Sequence, residues 1–209
     1  MPRLFRKWKK EEIERVLSAI KNEAYNLGAN KVAIVDPRRV VVDERVVYKC
    51  MWGCPHYNAS LMCPPYTPKP DDTRKLLNQY RYALLVRKEG KSEEFAGQSA
   101  IENNQWVKYG EELRRTMLNL ESSAFYRGFY LALALVAGCC RICSQDGTCK
   151  GLGQGRCLHA YESRPSMEAL GIDVMATLDY LRWKIQVVGR ETEPEKISEV
   201  GYVGLLLVC

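Results

Sequence analysis

The chain has 209 residues, of which 46% are hydrophobic, 27% charged and 10% aromatic, a composition that excludes a disordered, collagen-like or coiled-coil chain. Its 31 basic and 25 acidic residues leave a formal net charge of +6; the two signs are interspersed, and the one dense basic run, Arg3, Arg6, Lys7, Lys9 and Lys10, reads as a solvated arm because no nucleic-acid-binding motif accompanies it. The longest uncharged and mainly apolar stretch, residues 129–140, is 12 residues long, short of the ~20 that a membrane-spanning helix needs.

The first residues carry charge where a signal peptide needs an apolar core, so the expected location is the cytoplasm. Over residues 11–27, Ile13, Val16, Leu17, Ile20, Ala24 and Leu27 recur at helical spacing and end at Gly28, predicting an amphipathic helix. A β-branched run at 31–35, closed by Asp36-Pro37, predicts a strand, and 40–42 and 46–48 predict two more around an acidic turn. A loop rich in cysteine and proline covers 49–70. Asp71, Asp72 and Thr73 then cap a predicted helix to about residue 80, which leads into a strand at 82–87. Residues 103–126 repeat the helical pattern, with Trp106, Val107, Leu113, Met117, Leu118 and Leu120 as the apolar stripe. A buried strand is predicted over 129–137, and a second cysteine-rich loop over 138–165. Ser166 is placed to cap a helix that starts at Met167, breaks at Gly171 and resumes to about residue 183. Strands at 185–188 and 202–208 flank a polar turn containing Pro194. Helices alternating with strands predict an α/β fold: one layered domain over 1–209, with a mixed β-sheet flanked by helices and both cysteine loops projecting from it.

The nine cysteines are where function is to be sought, because grouped thiols in a reducing compartment bind metal more often than they pair. Cys50, Cys54 and Cys63 follow a C-x3-C-x8-C spacing. Cys139 and Cys140 are adjacent, and from Cys140 the pattern C-x2-C-x5-C-x7-C runs through Cys143, Cys149 and Cys157. Both groups sit among Gly, Pro, Asn, Ser, Gln and Asp, a loop setting unlike that of inert core thiols. Cys209 ends a strand-like run and reads as structural. Thiolates suit iron–sulfur clusters and zinc. The spacing matches neither two C-x2–4-C zinc pairs nor the bacterial ferredoxin run. Only two histidines, His56 and His159, accompany all-sulfur ligation and a Cys63-Pro64 step, which favours one or two [4Fe-4S] clusters, with zinc as the alternative.

In the second loop Cys140, Cys143, Cys149 and Cys157 would hold one cluster, with Arg141, Lys150, Arg156 and Arg164 offsetting its negative charge. The three cysteines of the first loop leave a cubane one ligand short. Either His56 or Cys139 completes it, which describes electron transfer with a redox partner protein, or one iron stays open, which describes an enzyme acting on a small sulfur-containing substrate. The zinc alternative describes a structural interaction module. Around these residues, His159 reads as a hydrogen-bonded loop histidine, and Glu168 and Asp173 as carboxylates near a helix N-terminus. Arg164-Pro165 is placed to fix the loop exit, and Trp52, Tyr57 and Tyr66 to shield a cluster. No nucleotide, flavin or nicotinamide fingerprint is present, and C-x3-C with its third cysteine eight residues further on does not fit a radical enzyme using S-adenosylmethionine.

The stretch CPHYNASLMCPPYTPKPDDTRKLL, the segment AGCCRIC and the stretch CLHAYESRPSMEALGIDV together resemble an uncharacterised family of cysteine-rich, predicted metal-binding proteins frequent in archaea and anaerobic bacteria. The resemblance spans about residues 50–177. It implies metal or iron–sulfur binding without an established reaction. By that resemblance Cys50, Cys54, Cys63, Cys140, Cys143, Cys149 and Cys157 take the family's cysteine positions, and Arg164, Pro165, Ser166, Met167 and Glu168 match its RPSME segment. Cys139 stands where the family is expected to show proline.

Overall fold

Helix α1 (Lys10–Asn26) buries Ile13, Leu17, Ile20 and Ala24, one residue per turn along one stripe, as the periodicity predicts. At its start the Glu12 carboxylate accepts the backbone N–H of Lys9, and at its end Gly28 takes a positive φ of 87° that an L side chain rarely adopts. The structure is a computed structural model and describes residues 8–189 and 191–209; Arg3, Arg6 and Lys7 of the basic run lie outside the described residues.

Strands β1 (Lys31–Val35), β2 (Ala83–Glu89), β3 (Leu133–Leu135) and β4 (Gly201–Leu207) form a sheet in the order β1-β2-β4-β3. Every ladder is antiparallel, with Ala33 opposite Leu85, Leu85 opposite Leu205, and Leu205 opposite Leu135. The α/β class holds, but the sheet is antiparallel and not mixed. The two long excursions that join sheet neighbours, 36–82 and 136–200, each return the chain to the end of the sheet it left, a matter of tertiary path that periodicity does not encode.

Side chains alternate across the strands. Leu84, Val86, Ala134 and Leu206 face one layer, where they meet α1 and the long helix α6 (Val107–Tyr126) through Leu113, Met117, Leu120 and Ala124. Ala83, Leu85, Leu135, Leu205 and Leu207 face the other layer, covered by Val40, Met167, Leu170, Ile172 and Leu178 and by Leu77. Because both faces are covered, β2 and β4 read as continuous apolar runs.

The covering layer is where expectation and structure part. Residues 40–42 and 46–48 are not strands: Val42 makes only an isolated bridge to Ile172, and α2 (Glu44–Gly53) follows. The Asp43 carboxylate accepts the Arg45 N–H at 2.8 Å, so a good N-cap outweighs the β-preference of Val46 and Val47. Helix α3 (Pro70–Leu77) then leads into β2. Short helices α4 (Ser92–Phe95) and α5 (Gln98–Glu102) precede α6, and Phe95 of α4 packs with Ala96, Tyr109, Ile197 and Val200 in a small satellite cluster. The expected strand at 129–137 is regular only over Leu133–Leu135. The expected break at Gly171 is present, with φ 77°, between a 3-10 turn (Glu168–Leu170) and α7 (Val174–Asp179). Residues 185–188 form no strand; the Gln186 N–H donates to the Glu199 carbonyl, and the Gln186 side-chain oxygen accepts the N–H groups of Ser198 and Glu199. Among the described residues no helix is long and apolar enough to cross a membrane.

Candidate metal centre

The first cysteine group begins on a helix. Cys50 lies in the last turn of α2 and Cys54 caps it, the Cys54 N–H donating to the Cys50 carbonyl at 3.3 Å. The x3 spacing therefore stacks both thiols on one helix face, and the loop expected from residue 49 starts only at Cys54. Successive turns carry the chain to Cys63: the Tyr57 N–H donates to the Cys54 carbonyl and the Cys63 N–H to that of Ser60. Cys63 is buried, at 9% exposure. Beyond it, the hydroxyls of Thr67 and of Thr73 on α3 donate to the carbonyls of Ala169 and Leu170, just past the RPSME segment.

The second group hangs from one clasp. The Val136 N–H donates to the Pro165 carbonyl and the Met167 N–H donates back to Val136, each at 2.9 Å, so the loop between them leaves and rejoins the core at one point. Arg164 holds that exit. Its Nε lies 2.9 Å from Oε2 of Glu121 on α6, its Nη2 meets Oε1 of the same carboxylate, and the same Oε2 accepts the Ala134 N–H at 2.6 Å. Ser166 caps the turn after the clasp by accepting the Ala169 N–H, as expected, and Asp173 caps α7 through the Ala176 N–H. The two loops meet directly: the Cys149 N–H donates to the Ala59 carbonyl at 3.1 Å.

The acidity of each thiol is set by burial and by the charges around it. Burial pushes Cys63 up to about 12, and the charges of Cys139, Cys54, Cys50 and Cys140 add to the rise, in that order. Burial also raises Cys50, with Cys54 and Glu168 adding, and raises Cys139, where the Arg141 cation opposes it and Cys54 adds. Cys140 is raised by burial, opposed by the Ile142 N–H, with smaller rises from Cys157, Cys143 and Cys149. Cys139 thus bears on the first group, and Cys140 feels the second while also bearing on Cys63. Cys149 is the exception in direction: burial raises it, but N–H groups of Leu61 and Gly151 and the Ser60 hydroxyl donate to its sulfur and bring the thiol below its ordinary value. At Cys157 the sulfur accepts the His159 N–H at 3.4 Å and shares a 3.0 Å hydrogen bond with the Ser163 hydroxyl.

Among the described residues no group of three or more His, Cys, Asp or Glu side chains is arranged to hold a single metal ion. The donor set nonetheless fits a thiolate-bound metal group: the thiols are half-buried, gathered from two loops, and at Cys149 and Cys157 already receive the N–H and O–H donors that a bound thiolate uses. His56 lies beside Cys139. A side chain at Gly147 would come within 2.8 Å of His56 Nδ1 and 3.5 Å of Cys139 Sγ, so glycine, at φ 84°, is what lets the second loop close over the first. Burial and then the Arg141 cation, whose Nη2 is 3.5 Å from Nε2, lower the His56 imidazole pKa.

Several expected roles change. Arg164 is committed to Glu121, so it anchors the loop instead of offsetting cluster charge, and Lys150 and Arg156 are exposed. Trp52 does not shield a centre: it is 78% exposed and stacks on Tyr48 at 5.2 Å. Tyr66 is exposed, and Tyr57 is half-buried. Cys209, pushed up to about 11 by burial, packs against the α1–α6 core, as its isolation implied. Cys139 was legible in principle, since adjacent residues on extended backbone point to opposite sides. Glu121 carries no local signal at all.

A family model described as a predicted metal-binding protein (DUF2284) matches residues 33–208. The chain belongs to the DUF2284 family. The matched span takes in both cysteine groups of this DUF2284 protein and leaves out Cys209. No curated protein and no solved structure matches the chain.

Proposed function

We propose that this chain is an iron–sulfur protein that carries two [4Fe-4S] clusters and works in electron transfer, as a redox subunit or with a redox partner protein. Cys140, Cys143, Cys149 and Cys157 would hold one cluster, and Cys50, Cys54 and Cys63, completed by Cys139, the other. What supports this reading is that the Cys139 charge bears on Cys63 while Cys157, Cys143 and Cys149 bear on Cys140, in loops joined at Cys149 and Ala59. A four-thiol first set favours electron transfer over an open iron. Such clusters, when bound, supply one-electron transfer at potentials that hydrogen bonds to sulfur and burial tune. The chain's own contribution is to supply those hydrogen bonds at Cys149 and Cys157, to hold the Arg141 cation near Cys139, and to keep Cys63 from water.

The test is the visible spectrum of protein purified without oxygen, with iron, zinc and acid-labile sulfide counted per chain. A brown protein with about eight irons and eight sulfides is expected. Cys139→Ser and Cys140→Ser should each lower the iron count by about half, and by different sets, so that the double variant binds almost none. A colourless protein holding one or two zinc ions and no sulfide would overturn the reading in favour of a zinc-stabilised interaction module. Iron unaffected by Cys139→Ser would return the first set to a three-cysteine site, with His56 or an open position as the remaining choice.

A further inference from the structure

Between the end of α6 and the start of β3 the chain turns through residues 125–132 and leaves Phe125, Tyr126, Tyr130 and Leu131 exposed, Tyr126 at 73% and Leu131 at 64%. Single apolar side chains scattered over a surface need no explanation, but four in one turn form a patch. The backbone beneath them is already bonded. The N–H groups of Arg127, Gly128, Phe129 and Ala132 donate to carbonyls of the turn and of the last turn of α6, and the Tyr80 hydroxyl donates to the Leu131 carbonyl. These donors would not be stranded if the tip left water.

Positive charge is brought to the same place. Trp8 stacks on Phe129 with ring centroids 4.8 Å apart, and a Cβ at Gly128 would come within 2.7 Å of the indole, so the start of the chain enters the fold beside the tip. Residues 1–10 hold Arg3, Arg6, Lys7, Lys9 and Lys10 and no acid; Lys7 is one Cα–Cα step, about 3.8 Å, from Trp8. Arg81, next to the Tyr80 that bonds the tip, is exposed as well. The acids nearby are mostly engaged: Glu14 pairs with Lys10 and Glu23 with Arg127, and Glu12 accepts the Lys9 N–H, which leaves Glu11 exposed.

We propose that this end of the molecule docks on an anionic lipid bilayer, with the tip at 125–131 entering the headgroup zone and the basic run lying against the lipid phosphates. Charge complementarity names the surface, because five cations in ten residues are drawn to a plane of negative charge. Tyrosine and phenylalanine rings beside them are the side chains that settle where headgroups meet acyl chains. Docking of this kind leaves the cysteine loops free: β3 runs from the tip to Val136 and the clasp, so the second loop departs from the opposite end of that strand. It does not rest on the iron–sulfur reading, and no metal takes part in it.

The experiment is cosedimentation of the full chain with vesicles of equimolar phosphatidylcholine and phosphatidylglycerol, and with vesicles of phosphatidylcholine alone, at ~0.1 M salt. The chain should pellet with the anionic vesicles and not with the neutral ones. Arg6→Gln, Lys7→Gln and Lys9→Gln made together should weaken binding about 100-fold, at about five-fold per cation. Tyr126→Ser with Leu131→Ser, at exposed positions that leave the core untouched, should weaken it about ten-fold. Trp52→Ser, which removes an exposed ring elsewhere, should leave it unchanged. No binding to the anionic vesicles, or equal binding to both kinds, overturns the proposal. So does binding that needs the cations but ignores the tip, since attraction of a basic segment would then explain it. A chain that passes over the vesicles but sediments as a dimer, and as a monomer with Tyr126→Ser and Leu131→Ser, would make the tip a contact between copies instead.

Discussion

Glu121 on α6 is the residue through which the core controls the second cysteine loop, and its replacement by alanine has a calculable cost. The Glu121 and Arg164 side chains are 15% and 20% exposed, and the carboxylate also accepts the Ala134 N–H of β3. Removing one member of a buried, hydrogen-bonded ion pair costs ~3–5 kcal/mol, and residual exposure puts this pair at the lower end, about 3. The stranded Ala134 N–H adds about 1 kcal/mol. At roughly 2–4 °C per kcal/mol for a chain of this size, ~3–4 kcal/mol lowers Tm by about 6–16 °C. Glu121→Gln keeps one acceptor oxygen, enough for the Ala134 N–H, but turns its NH2 donor towards the Arg164 guanidinium, so it should cost less than alanine while losing the charge pairing. The assay is urea unfolding of the two single variants, Glu121→Ala and Arg164→Ala, and of the double variant. The reasoning requires a coupling of about 2 kcal/mol between the two sites; a cycle that closes below ~0.5 kcal/mol, the worth of an exposed pair, would refute it. Because Arg164 closes the loop that bears Cys140 to Cys157, Glu121→Ala should also speed metal release to a chelator.

Further outcomes follow from the same geometry. In reduced, metal-free protein Cys149, held below the ordinary thiol value, should be alkylated by iodoacetamide before the other loop cysteines as pH rises from 6 to 9, whereas Cys63, at about 12 and buried, should stay unmodified; mass mapping of the modified peptides checks the order. The raised Cys63 value also has a sign for stability: the unfolded chain loses this proton near ~8.5 while the folded one keeps it to about 12, so its contribution is complete below the first value and is lost between the two. Urea midpoints of metal-free protein should therefore fall from pH 8 to pH 10. Gly171→Ala places a Cβ 2.8 Å from Pro70 Cγ at a φ of 77°; a left-handed penalty of ~1–2 kcal/mol plus overpacking should destabilise by about 2–4 kcal/mol, read as a lower Tm. Gly147→Ala should displace His56 or Cys139 and lower iron retention without lowering the Tm of metal-free protein to the same degree.

What the residues alone determine here is whatever acts over a few positions. The stripe from Ile13 to Ala24 makes α1 because one residue per turn is apolar. The KVAIV and GYVGLLL runs make β1 and β4 because branched and apolar residues fit a buried pleat. The cysteine spacing and its loop composition point to thiolate chemistry before any fold is known, and the RPSME segment points to the family. Tertiary structure decided the rest. Val46 and Val47 entered a helix because Asp43 caps it and because the layer above Ile172 needed covering. Strand direction followed the return path of two long excursions. The Cys139 charge came to bear on Cys63 across 75 intervening positions, and Glu121 reached from α6 to Arg164 at the loop exit. Proximity of this kind is set by how layers close on one another, and no local pattern carries it.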